Sequence, residues 1–234
     1  MRIESLDIRA CRHRDAALGG SALRDGQGRE GLEYLVYTVK TDCGREASMF
    51  GFAGRSAIGA AHLAAASLRP FFVGRNALDR EAAWAGWRTA DRWWHHLPVY
   101  SYGPVDCCLW ILGAETAGQP LWRYIGGARG EVPVYASSLV LPDADAYAAE
   151  AKAVQAAGMK AYKIHPPGKS LAEDIEIHRA VREAVGADFP LMSDPVAPYT
   201  LDEAVRLGRE LERLNYLWLE EPLPDEAFGA LREL

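Results

Sequence analysis

Long apolar runs are missing from this chain of 234 residues. Nowhere do about 18 apolar residues follow one another, the length a helix needs to cross a bilayer. The opening MRIESLDIRACRHRD alternates polar with apolar residues and lacks the continuous stretch of a secretory signal, so a cytoplasmic location is expected. Basic blocks are missing too. The net charge is −6, with no Lys/Arg-rich tail, which excludes the electrostatic footprint of a nucleic-acid or anionic-membrane partner. Cysteine is scarce: Cys11, Cys43 and the neighbours Cys107 and Cys108 form no C-x-x-C pair and no spaced framework. Reduced, buried thiols are therefore expected.

What is present is an ordinary globular composition, 49% hydrophobic and 25% charged, enough to build a sizeable core. Residues 2–11, 33–42 and 46–52 read as strands, because Ile3, Leu6 and Ile8, then Leu35, Tyr37 and Val39, alternate with polar residues. Thr41-Asp42-Cys43-Gly44 reads as the turn of a hairpin between the last two. The segment RHRDAALGGSALRDGQGREG between the first two is rich in Gly, Arg and Asp without periodicity, the composition of a mobile surface loop long enough to serve as a lid. From about 55 to 118 the pattern is helical, with Ala-rich stretches, Trp84, Trp87, Trp93 and Trp94, and a helix from Pro104 to Ala117 closed by Gly118. Gly126-Gly127-Ala128-Arg129-Gly130 then interrupts the pattern and marks the domain boundary.

Beyond it the texture is a repeating βα unit. Short apolar strands are expected at Val134–Ser138, Ala161–His165, Pro190–Asp194 and Tyr216–Glu220, and amphipathic helices near 144–157, 170–185 and 201–213. Asp143 and Asp145 lead the first helix and Gly158 ends it; Ser170, with Glu173 three residues on, leads the second and Gly186 ends it. Strands of this kind separated by single helices imply a parallel sheet covered by helices, either doubly wound or a (β/α)8 barrel.

Parallel α/β sheets build their sites at the C-terminal strand ends. Here those ends carry Lys163-Ile164-His165, Asp194 and Glu220-Glu221-Pro222. Alternation along a strand puts Lys163 and His165 on one face and Ile164 on the other. Asp194 and Glu220 then come from the next two strands, two hard oxygen donors suited to a cation such as Mg²⁺.

The stretches AYKIHPPG, LMSDP and YLWLEEPLP, in this order, resemble the K-x-K, Asp and W-x-E-E/Q-P signatures of the mandelate racemase and muconate lactonising branch of the enolase superfamily. Upstream, YGPVDCCLWILGAETAGQPLWRYIGGARGEVPVYAS is similar to that family's junction between capping domain and barrel. The resemblance implies an α+β capping domain over residues 1–125, a three-stranded antiparallel sheet plus a helical bundle, followed over 126–234 by an incomplete (β/α)8 TIM-type barrel, strands one to four only. It implies Asp194 and Glu220 as metal ligands for Mg²⁺, Lys163 and His165 as catalytic residues, and a lyase or racemase acting on a small-molecule carboxylic acid, acid-sugar dehydration first. Lys163 would hold the substrate's carboxylate. His13, Arg24 and Arg55, in or near the loops of the capping domain, are candidate substrate contacts.

Three features depart from that pattern. His165 stands where the family usually has a second lysine. Pro195-Val196 follow Asp194 where many relatives have asparagine two positions on, so a hydrogen bond to the ligand shell is expected to be missing. The third ligand and the opposite acid-base pair belong to later strands of the family's barrel. The competing expectations are a catalytically silent half-barrel whose open edges drive it into a homo-oligomer, and a Schiff-base aldolase using Lys163. His178 is expected to be solvated in mid-helix, the tryptophans to be core, and His95-His96 to be packing or surface.

Overall fold

The computed structural model describes residues 1–13, 32–54 and 56–234. It divides into two compact units, Met1–Gly130 and Glu131–Leu234, so the Gly-rich segment 126–130 closes the first unit. Among the described residues no helix is long and apolar enough to cross a membrane.

The first unit begins with an antiparallel sheet in the order β1 (Ile3–His13), β2 (Leu32–Thr41), β3 (Glu46–Gly54). Alternation decides its two faces. Leu6, Ile8, Leu35, Tyr37, Val39 and Ala47 are all buried, and they pack against α1 (Ala57–Phe72) and α3 (Val99–Thr116) through Ala61, Ala64, Leu68, Val105, Leu109 and Leu112. The β2–β3 hairpin closes as its composition predicts: the Gly44 amide donates to the Thr41 carbonyl at 2.9 Å, and Gly44 takes φ +78°, which a side chain disfavours. The segment RHRDAALGGSALRDGQGREG lies almost wholly outside the described residues.

The helical block is α1, α2 (Arg80–Ala90), a π turn at Asp91–His95, α3 and the short α4 (Leu121–Tyr124). It differs from the sequence reading in three ways. The third helix starts at Val99, so Pro104 sits inside it, and its ring is seated over Gly51 of β3. Trp87 is core, stacked on His95 with ring centroids 5.2 Å apart, but Trp93 and Trp94 are exposed, because the π turn rotates them off the buried face of α2. All four cysteines are free, yet only Cys108 is buried and Cys43 is exposed at the hairpin turn.

In the second unit the strands are shorter than expected. Beta4 (Ala136–Ser137), β5 (Tyr162–Ile164) and β6 (Leu191–Ser193) form one parallel sheet in that order. The segment expected as a fourth strand forms no named strand and meets β6 through an isolated parallel bridge, Ser193 to Leu219, and a few main-chain hydrogen bonds around it. Between them run α5 (Ala144–Ala156), α6 (Leu171–Val185) and α7 (Leu201–Arg213), with α8 (Phe228–Glu233) after. Asp143, Ser170 and Thr200 cap α5, α6 and α7 by accepting from the amides of Ala146, Glu173 and Glu203, so the orphan donors of each helix start are satisfied. Tyr162, Ile164 and Leu191 point into the helical layer, against Tyr147, Ile177, Val181 and Val185.

A Cβ on Gly51 would lie 2.8 Å from Pro104 Cγ and 3.0 Å from the Tyr37 ring, and neither a proline in a helix nor a buried ring gives way cheaply. Gly51→Ala is expected to destabilise the chain by about 1–3 kcal/mol, read as a lower urea midpoint at unchanged slope.

Candidate functional site

Four of the residues singled out above meet at the C-terminal end of the parallel sheet. Lys163 is carried by β5 on the face opposite Tyr162 and Ile164, and its backbone carbonyl accepts from Ser138, fixing it against the end of β4. Its Nζ donates to Asp194 Oδ2 at 2.9 Å and to Glu220 Oε1 at 3.0 Å. His165, two residues on and on the same face, places Nε2 3.1 Å from the same Oδ2. The expected juxtaposition is present, and one carboxylate oxygen is its centre.

Lys163 is 8% exposed and Asp194 5%, so both charges are largely withdrawn from water. Burial works to lower the lysine's pKa, and the hydrogen bonds to Asp194 and Glu220 overcome it, so the ammonium is held above its ordinary value. The second oxygen of Asp194, Oδ1, is buried with no hydrogen-bond partner. Glu220 is half exposed, and its Oε2 accepts from Trp218 Nε1 at 3.0 Å. Trp218 also meets the Tyr135 ring edge-on, and that ring lies 5.9 Å from Lys163 Nζ, an aromatic wall beside the ammonium.

His165 is held more firmly than its place after a strand suggests. Its amide donates to Ser138 Oγ at 2.8 Å, and its Nδ1 lies 2.7 Å from the Ser138 carbonyl oxygen. A carbonyl only accepts, so Nδ1 carries the proton and Nε2 is the atom that takes up or gives one. Its own carbonyl accepts from the Tyr147 hydroxyl. Ser138 was not singled out from sequence, although it closes the expected strand Val134–Ser138 and directly follows β4, and that placement was the available signal.

Behind the sheet lies a polar cluster that the sequence reading missed. His178 on α6 is fully buried, not solvated, because α6 turns the face bearing Asp174, Ile177, His178 and Val181 toward the strands. Its Nδ1 faces the Asp174 carbonyl, and its Nε2 lies 2.7 Å from Ser193 Oγ. Asp174 itself accepts from the Tyr199 hydroxyl at 2.6 Å and the Gly168 amide at 3.3 Å. Burial pushes the His178 pKa down from 6.5 to about 4, and pushes that of Asp174 up.

The backbone beside both carboxylates is strained. Val196 and Ala197 each have φ +59° and Glu221 has φ +43°, a region that costs a non-glycine residue, a β-branched one most of all. The two turns are tied together, the Ala197 amide donating to the Glu221 carbonyl at 2.7 Å. Glu221 is exposed, and its side chain takes no part in the cluster at Asp194. Of the expected substrate contacts, His13 ends β1 opposite Leu32, its side chain outside the described set, and Arg24 and Arg55 lie outside the described residues.

Comparison with known proteins places these residues in context. The family described as Enolase C-terminal domain-like matches residues 146–234. A 3,6-anhydro-alpha-L-galactonate cycloisomerase of Streptomyces coelicolor is 34% identical over 217 residues, covering 90% of this chain and 55% of that protein. An L-talarate/galactarate dehydratase of Salmonella typhimurium is 34% identical over 129 residues, 54% of this chain and 32% of that protein. A D-glucarate dehydratase from Agrobacterium tumefaciens, solved in complex with magnesium, superposes with a TM-score of 0.85 at 28% identity, covering all of this chain and 64% of that one. The chain thus spans about half the length of the first of these relatives.

Two outcomes follow from this geometry. Native His178 takes a proton only near pH 4, whereas the unfolded residue takes one near 6.5, so stability is full above the higher value and falls as pH drops toward the lower. From about pH 7.5 to about pH 5 this loss is about 2 kcal/mol. Asp174 acts in the opposite sense, so the measurement is the difference in urea-unfolding free energy between the natural chain and His178→Gln across that range; identical pH responses would remove His178 from the account. Separately, Val196→Asn, which tolerates positive φ at an exposed position, is expected to raise stability by about 1 kcal/mol, read in the same assay.

Proposed function

The chain belongs to the enolase superfamily, and from that premise we propose that it carries the first half of a catalytic (β/α)8 barrel for removing the proton next to a carboxylate. Dehydration of a sugar acid or other hydroxy acid is the favoured outcome, with racemisation of the same carbon as the neighbouring one. The observation that carries this reading is that Lys163 bridges the carboxylates of Asp194 and Glu220 while His165 meets the same oxygen of Asp194. The names of the relatives, dehydratases and cycloisomerases, support the reaction class.

The residues present fit a divalent cation. Asp194 Oδ1 is a buried anionic oxygen without a partner, and such an atom calls for a donor or a metal. Asp194 and Glu220 would hold Mg²⁺ through hard oxygens, as a cation that keeps several waters requires. Among the described residues no group of three His, Cys, Asp or Glu side chains forms a metal site. When bound, the ion supplies positive charge against which an enediolate can form.

The α-proton of a carboxylate is a very weak acid unless the charge left behind is stabilised. Lys163, held protonated, presents a second positive charge to the carboxylate oxygens of the substrate. His165 receives the proton at Nε2, since Ser138 holds the other ring proton at Nδ1, and Asp194 Oδ2 at 3.1 Å accepts a hydrogen bond from Nε2 once it is protonated. The electron pair left on the α-carbon then either forms a double bond as the β-hydroxyl leaves, which is dehydration, or takes a proton back, which is racemisation. The third ligand missing from the described set favours a second reading, that this stretch of chain is silent alone and acts only with the remainder of a barrel.

Mg²⁺ titration by calorimetry, beside exchange of the α-proton of D-glucarate and related acids in D₂O, separates these readings. Mg²⁺ binding that weakens by at least about tenfold in Asp194→Asn is expected. Exchange that also vanishes in His165→Ala would establish the activity in this chain. Binding without exchange favours the silent half-barrel, and binding unaffected by Asp194→Asn sinks the carboxylate pair as the metal site.

A further inference from the structure

The carboxylates at the site are set from behind. Ser193 is the last residue of β6 and directly precedes Asp194, and its side chain points away from the site into the helical layer. Its backbone does two further jobs. The Ser193 amide donates to the Trp218 carbonyl at 3.2 Å, and its carbonyl accepts from the Glu220 amide at 2.8 Å. One residue therefore adjoins one proposed ligand in sequence and holds the other by a main-chain hydrogen bond. Whatever fixes the rotation of Ser193 fixes the direction in which both carboxylates leave the sheet.

The side chain that meets the Ser193 hydroxyl is His178. The Asp174 carbonyl facing Nδ1 can only accept, so Nδ1 carries the ring proton and Nε2 is left as an acceptor for the Ser193 hydroxyl, 2.7 Å away. The ring has no freedom to leave. It is fully buried, it packs edge-on against Tyr216 with centroids 5.2 Å apart, and the Tyr216 hydroxyl donates to the His178 carbonyl at 3.0 Å. Tyr216 begins the segment that ends in Glu220, so the same histidine touches the chain on both sides of the site. A fully buried polar ring costs desolvation that an apolar side chain of similar size avoids.

We propose that His178, acting through Ser193, is a positioning residue that sets the geometry of Asp194 and Glu220 without touching metal or substrate. The inference rests on the proposed role of those carboxylates, but its geometry is independent of any bound ion. The buried imidazole is an acceptor at a defined point, and the strand is threaded on it. Removing the acceptor leaves the Ser193 hydroxyl buried without a partner, and the strand end turns to recover one.

The test compares the natural chain with His178→Leu, Ser193→Ala and His178→Gln; in the last, an amide oxygen stands near the place of Nε2 and restores the acceptor. Two readouts are taken on chains whose circular dichroism is unchanged. The first needs no metal: the side-chain ammonium resonance of ¹⁵N-labelled Lys163, assigned by Lys163→Arg, which its hydrogen bonds to Asp194 and Glu220 keep in slow exchange. It is expected to broaden or vanish in His178→Leu and Ser193→Ala and to return in His178→Gln. The second is Mg²⁺ affinity, expected to fall roughly tenfold in the first two variants and to recover in the third, the size of effect that outer partners of metal ligands show.

A Lys163 resonance and an affinity that stay unchanged in His178→Leu and Ser193→Ala overturn the proposal, as does a loss that His178→Gln does not repair. If the natural chain binds no Mg²⁺, the metal reading fails, and the ammonium resonance alone still decides whether His178 orders the carboxylates.

Discussion

A buried ammonium held between two carboxylates is the constraint around which the second unit is arranged. Lys163 stands in surroundings that disfavour its charge, and the two hydrogen bonds to Asp194 and Glu220 keep it ionised. A buried ion pair of this kind brings little net stability, because the desolvation of both partners offsets their attraction. It does demand position. Three successive βα elements have to end within hydrogen-bond reach of one another, which only a parallel sheet with short, well-capped connections supplies.

The alternation of side chains along β5 and β6 gives that demand a second face. Tyr162, Ile164 and Leu191 enter the helical layer and make the core, while Lys163 and Asp194 leave on the other side. Ser193 breaks the apolar pattern of the inner face and is answered there by His178. On the outer side the strained turns at Val196, Ala197 and Glu221 are tied to one another. Strain of this kind persists only where the surrounding structure over-determines it, and here it flanks both carboxylates.

In the first unit the sheet and the helices over it follow from period-two and Ala-rich patterns, and the departures have local causes. Pro104 was read as a helix start because proline favours that position, but the turn before it is helical as well, and the ring finds its place over a glycine in the neighbouring strand. Trp93 and Trp94 were read as core because large aromatic residues usually are. One π turn carries them round to solvent.

The sequence by itself determined where most strands and helices fall, though not the π turn or the loss of the fourth parallel strand, how α5 and α6 are capped, and which ionisable residues stand at strand ends, because these depend on periodicity and on neighbours a few residues away. Lys163, His165, Asp194 and Glu220 were legible for that reason, each closing an expected strand. Only the tertiary structure decided that Lys163 and His165 converge on a single oxygen, Asp194 Oδ2, while Lys163 also reaches Glu220, that Ser138 fixes the tautomer of His165, and that His178 is buried against Ser193. Those contacts join residues 15 to 57 positions apart, and a helix whose pattern mixes charges with apolar residues does not announce which face a sheet will cover. The sequence specifies the groups; their mutual distances arise when separate βα units pack side by side.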